Sequence, residues 1–284
     1  MTGFATGIPR PVKPPRRASG ADRRRTHLSW LLSTGSVWLI CGLCGYFFWF
    51  YLNAGVHGLD SRAYWLTGHR SGLYVGPPGS HDAYLYSPAF ATVIWPLTQL
   101  PWHAFLTLWM LAEAAAFVWL LAPLGWRWGI PMLCLCLIEI TVGNIYSFLA
   151  VAAVIGMRHP AAWALPLLTK ITPGLGPIWF AARRECRALA LSLGTTAAIA
   201  AVSFAVAPHL WVEWARFLLA NTGSSQWFLP LRVCGAVVLT VVAAAKRRSW
   251  LLAPAMLLAN PVVVHGWMAL SLLAAIPRLR AGSR

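Results

Sequence analysis

The sequence predicts an all-α, polytopic integral membrane protein with about 8–10 membrane segments, and three observations carry that expectation. Of its 284 residues, 58% are hydrophobic and only 11% charged, with a mean hydropathy of +0.62, a balance that does not suit a water-soluble surface. Apolar runs recur at Trp30 to Tyr51, His103 to Leu124, Ala188 to Ala207, Leu231 to Ala245 and Leu251 to Ile276. Several reach the roughly 20 helical residues that cross a hydrocarbon core. No alternating barrel pattern is visible, which leaves helices to satisfy the backbone groups in lipid.

The formal charge of +16 invites a nucleic-acid reading, but the basic residues fall into a tail and short clusters without interleaved stacking aromatics. A positive-inside topology accounts for them, and no nucleic acid is expected as a partner. The six cysteines lie in or beside apolar runs and predict neither a disulfide framework nor a zinc site. No cleavable signal is expected, because the first apolar run begins only near Leu28 and should stay in the membrane.

Residues 1–27 carry four prolines and seven bases against the single acid Asp22, which predicts a disordered cytoplasmic tail close to anionic lipid. Residues 28–284 form the transmembrane domain. Trp30 to Tyr51 crosses outward and leaves residues 52–86 as an extracytoplasmic loop. Inside it, Ser61 to Leu73 suits a short interfacial helix with Tyr64 and Trp65 at the headgroups, ended by Gly76, Pro77, Pro78 and Gly79. Ser87 to Leu100, with Pro96 inside it, predicts a short or kinked helix. Gly143, Asn144 and Tyr146 interrupt the next apolar stretch, and Lys170, Thr172, Pro173 and Gly174 the one after. Such residues are tolerated at membrane depth where they face protein or a wet cavity. Arg183, Arg184 and Arg187 mark a cytoplasmic turn, as do Lys246, Arg247 and Arg248. Leu251 to Ile276 makes either one tilted span or two short ones broken at Asn260 and Pro261.

The loop holds two of the seven acids in the chain, Asp60 and Asp82, among histidines, arginines and tyrosines that suit a sugar or a phosphate. Asp60 fits either a functional carboxylate or a helix cap before Ser61. Asp82 reads as a solvated turn. Lys170 fits a phosphate contact or an ammonium that snorkels to the interface. Arg62 and Arg70 suit a phosphate or lipid headgroups in general. His265, with Trp267, lines a sugar site or packs in the core. His57, His69 and His81 are too far apart for a local metal motif, and no metal or cofactor is expected. Glu113 and Glu139 are expected to face a cavity, with Arg127 or Lys170 as partners.

Read in order, Asp60 to Tyr64 (Asp-x-x-x-Tyr), Tyr86 to Pro88 (Tyr-x-Pro), Pro96-Leu97, Gly143-Asn144 and Lys170 to Pro173 before an arginine cluster resemble the polyprenol-phosphate-mannose-dependent mannosyltransferases. These make up glycosyltransferase family 87, with the GT-C fold. The resemblance runs from about Trp30 to Arg187. Ser87 stands where a second proline is common, and Asn144 where Gln is usual. The chain is expected to be a short member. The resemblance implies a GT-C-like bundle in the inner membrane that moves mannose, or a related sugar, from a polyprenyl-phosphate donor to a glycolipid or glycan acceptor, with inversion. It implies Asp60 as the catalytic base, Lys170, Arg62 and Arg70 at the donor phosphate, and Tyr64, Tyr86 and Asn144 at the substrates, to which the residue reading of the last apolar run adds His265. Two other readings stay open: a shortened, inactive relative that binds or scaffolds envelope glycolipid synthesis, and a small-molecule transporter or flippase.

Overall fold

A computed structural model describes residues 20–221, 228–261 and 268–282. Among these residues the secondary structure is helical throughout. Three stretches are long and apolar enough to cross a membrane: Ser33–Phe50, Trp102–Val142 and Cys186–Val206. The surface of the first is almost wholly outward-facing, with Trp38, Leu39, Leu43 and Trp49 all more than half exposed. Apolar area of that extent is an aggregation hazard in water and an ordinary surface in lipid. The protein is an all-α polytopic membrane protein.

Helix α1 (Gly20–Asn53) starts eight residues inside the expected tail. The last proline before it is Pro15, and ADRRRTH offers helix-compatible residues up to the apolar run. The loop then folds as α2 (Leu59–Trp65), continued by a 3-10 turn at Leu66–Gly68. This helix is shorter than the expected Ser61 to Leu73; its 3-10 turn ends at Gly68, where a Cβ would strike Thr98. Helix α3 (Pro88–Thr98) has Pro88 at its first turn and Ser87 in the extended conformation that a following proline favours.

Helices α4 (Trp102–Leu121) and α5 (Gly125–Val142) form a hairpin that turns at Ala122–Leu124. Helix α5 runs beside α1 in the same direction. Arg127 lies over the Trp30 ring at one end, and Gly58 N–H donates to Thr141 O (2.7 Å) at the other. Helix α6 (Tyr146–Gly156) returns. A 3-10 turn at Pro160–Trp163 leads into α7 (Ala164–Thr169), and after a break comes α8 (Gly176–Ala182). Helices α9 (Cys186–Val206), α10 (Pro208–Ala220) and α11 (Leu229–Ala245) follow. The last apolar region is two pieces rather than one tilted span. Helix α12 (Leu252–Leu258) stops before Asn260, and a 3-10 segment at Met268–Ala275 leads into α13 (Ile276–Ala281).

This arrangement has two chemically distinct ends. Arg158, Arg183, Arg247 and Arg278 meet at one of them. The breaks at Gly143–Ile145, Lys170–Leu175 and Asn260 meet the loop at the other. Helix α6, at 11 residues, is only about 16 Å long against a core of roughly 30 Å. The chain therefore turns back part-way, and its polar breaks meet one another rather than lipid. Small residues allow the close packing this requires. Trp163, fully buried, is wedged between Gly156 and Gly176, where a Cβ on either glycine would run into the indole.

Candidate functional site

Three helix breaks and the loop assemble the site. Gly143 ends α5 in the left-handed conformation (φ 75°), with its N–H on Glu139 O, the usual glycine exit from a helix. Its carbonyl accepts from Trp109 Nε1 (3.0 Å). Asn144 is thereby turned toward α2. Its Oδ1 accepts from the Ile145 N–H (2.7 Å) and its Nδ2 donates to Asp60 Oδ2. With one end of the amide fixed by backbone, the other is a preset donor to the Asp60 carboxylate.

Tyr146 opens α6. Its N–H donates to Glu139 Oε1 (3.2 Å) and its hydroxyl to Asn260 Oδ1 (2.9 Å), which joins the first break to the third. Lys170, from the second break, sets its ammonium 3.7 Å from the centre of the Tyr146 ring and 5.8 Å from that of Tyr86, a cation–π seat for a charge at this depth. Asp60 lies within electrostatic range of Lys170, Tyr86 and Glu139. Glu113, fully buried in α4, sits within range of Glu139 and Asp60.

The structure thus brings together Asp60, Asn144 and Lys170 from positions spread over 110 residues, and treats the other expected site residues differently. Tyr64 and Tyr86 are buried, and their hydroxyls bond each other (2.9 Å). Their rings pack edge to face with Phe90, so they form a wall behind the site. Burial pushes the Tyr86 phenol up to about 12, with the Lys170 ammonium pulling the other way. It raises Tyr84 and Tyr74 as well. Arg62 and Arg70 gather on Asp82, at 3.5 and 3.4 Å from its Oδ2, and Arg70 also donates to the Asp82 carbonyl. His81 approaches the other oxygen of the same carboxylate. Asp82 is therefore a hub of the loop rather than a solvated turn. His69 stacks on Trp65. His265 and Trp267 lie outside the described residues. Arg127, offered as a partner for the buried glutamates, sits at the opposite end against Trp30.

Tyr146 and Asn260 were legible only as part of two interruptions. The signal available was position: each is the polar residue at a break in an otherwise apolar run.

An all-α membrane bundle with a carboxylate, an amide and an ammonium held at converging helix breaks has the parts for group transfer to or from a membrane-borne substrate. A family model, glycosyltransferase family 87, matches residues 84–283. The chain belongs to glycosyltransferase family 87. The match takes in Tyr86, Asn144 and Lys170 and continues through the C-terminal helices, past the Arg187 at which the motif resemblance stops. Asp60, Arg62, Tyr64 and Arg70 precede it. No curated protein and no solved structure matches the chain.

Proposed function

We propose that this membrane glycosyltransferase moves mannose, or a closely related sugar, from a polyprenyl-phosphate carrier to an envelope glycolipid or glycan at the extracytoplasmic face of the inner membrane. One observation carries the reading: a carboxylate oriented by a fixed amide, within electrostatic range of an ammonium held at the bottom of converging helix breaks. In the reaction the acceptor hydroxyl gives its proton to Asp60 as its oxygen bonds to the anomeric carbon. The bond from that carbon to the carrier's phosphate oxygen breaks, and the electron pair leaves with the phosphate. Lys170 stabilises that departing charge. Attack from the face opposite the leaving group inverts the anomeric centre.

Asn144 fixes the base in place, and the tyrosine wall keeps Lys170 from folding away. Arg62 and Arg70 serve by holding Asp82, and so the shape of the loop, which leaves Lys170 as the phosphate cation. The basic turns at the opposite end agree with a cytoplasmic placement there and an outward-facing site.

Membranes containing wild type or Asp60→Asn, supplied with radiolabelled polyprenyl-phosphate-mannose and an envelope glycolipid extract, test the proposal. Label entering a new glycolipid with wild type alone supports both reaction and base. A folded wild type that transfers nothing over a range of donors and acceptors favours the inactive relative. Uptake into proteoliposomes without glycan synthesis favours the transporter.

A further inference from the structure

At the end of the bundle opposite Asp60, three turns and helix α13, widely separated in sequence, bring one arginine each to a single cavity of about 650 Å³: Arg158, Arg183, Arg247 and Arg278. Among the described residues the only carboxylate in its lining is Glu185. A positive-inside bias explains basic turns in general, but it does not require guanidinium groups from the turns after α6, α8 and α11 and from α13 to face a common space.

Two of the four are fixed by the protein. Arg183 Nε bonds Glu185 Oε1 (2.5 Å). Arg278 Nε donates to the Trp119 carbonyl (2.7 Å) while its guanidinium stacks 4.1 Å from that ring. The other two, Arg158 and Arg247, are exposed, and among the described residues their side chains have no hydrogen-bond or ion-pair partner. Two anchored guanidinium groups beside two open ones leave N–H donors in the cavity for phosphate oxygens.

The rest of the wall says which phosphate. Trp119, Pro123, Val154, Ile155 and Met157 line the cavity, and Trp119 and Ile155 are more than a third exposed. A ligand with its phosphate among the arginines thus has an apolar track beside it, which a free anion does not use and an acyl chain does.

We propose that this cavity is a binding site for the phosphodiester headgroup of an anionic phospholipid in the leaflet at the basic end, separate from the site around Asp60. It goes beyond the transferase reading and does not depend on it. Its occupant ties three turns and α13 together without touching the reacting groups.

Native mass spectrometry of the full chain in detergent tests this with phosphatidylglycerol, phosphatidylcholine and inorganic phosphate as probes. Wild type retains phosphatidylglycerol in preference to phosphatidylcholine. Arg158→Gln/Arg247→Gln lowers retention about tenfold, each single variant falls between, and thermal melting confirms that all stay folded. Arg184→Gln/Arg187→Gln removes the same charge from exposed positions outside the cavity lining and stays within about twofold of wild type. Equal loss in both double variants would show a diffuse basic surface and overturn the proposal. So would displacement of the lipid by millimolar inorganic phosphate, which would make this a free-anion site.

Discussion

Gly143→Ala is the sharpest test of how the site is held, because it removes no reacting group. Gly143 has φ 75°, where an L-residue costs about 1–2 kcal/mol. A methyl there would also lie 2.6 Å from Ser61 Oγ and 2.7 Å from Ser61 Cβ, roughly 1 Å inside ordinary contact. Both atoms belong to α2, one residue from Asp60, so the helix has to retreat by about that distance and carry the carboxylate off Asn144. A misplacement near 1 Å costs about a hundredfold in rate. The transfer assay on Gly143→Ala should show that loss, with stability lowered by the conformational cost of about 1–2 kcal/mol. Ser61→Gly in the same chain removes both clashing atoms. It should return at least about tenfold of the rate while the backbone cost persists, a coupling that a double-mutant cycle isolates. Wild-type turnover by Gly143→Ala, or a double variant as slow as the single, would refute the idea that this contact seats α2.

Two further outcomes follow from the site. Lys170→Met takes away the cation at the phosphate and should lower kcat about 10²- to 10³-fold, with Lys170→Arg keeping more activity; initial rates against donor concentration check this. The buried Tyr86 phenol, held up to about 12 by burial, stays neutral at pH values where an unfolded tyrosine, near 10, ionises. The folded state then binds more protons in that window, so the loop's stability is intact below about pH 10 and falls as pH rises toward 12. Absorbance at 295 nm should show Tyr86 ionising late, and a Tyr86→Phe variant should lose one phenol from the late component while Tyr74 and Tyr84, also raised by burial, keep the rest of it.

Much of the scaffold could be read from residue types. Gly143-Asn144 and Lys170 to Gly174 break helices because glycine, asparagine and proline do so locally, and the structure breaks at both. The Asn260 break was one of two readings, and the structure takes it. Pairings made by the folded loop were not legible. Arg70 meets Asp82 twelve residues later through turns around Gly76 and Gly79, and no spacing rule announces that. Nor does composition reveal that Tyr64 and Tyr86 are spent on each other. Their exposure depends on Phe90 and Trp109 packing over Tyr64, a contact between distant segments. Glu139 shows the limit from the other side. Its burial follows from an apolar run, but its bond to the Tyr146 N–H exists only because the chain reverses at Gly143.

The bond from the Tyr146 hydroxyl to Asn260 spans 114 residues, and that separation has a consequence for how the protein is made. A ribosome adding about 5–20 residues per second produces Asn260 on the order of ten seconds after Tyr146. For most of that interval α6 and the Lys170 break are already synthesised, while the ring that seats the Lys170 ammonium still lacks its hydroxyl partner. Assembly of the site is thus a late event in biosynthesis, timed by the arrival of the C-terminal helices rather than by the insertion of the elements that carry Asp60 and Lys170.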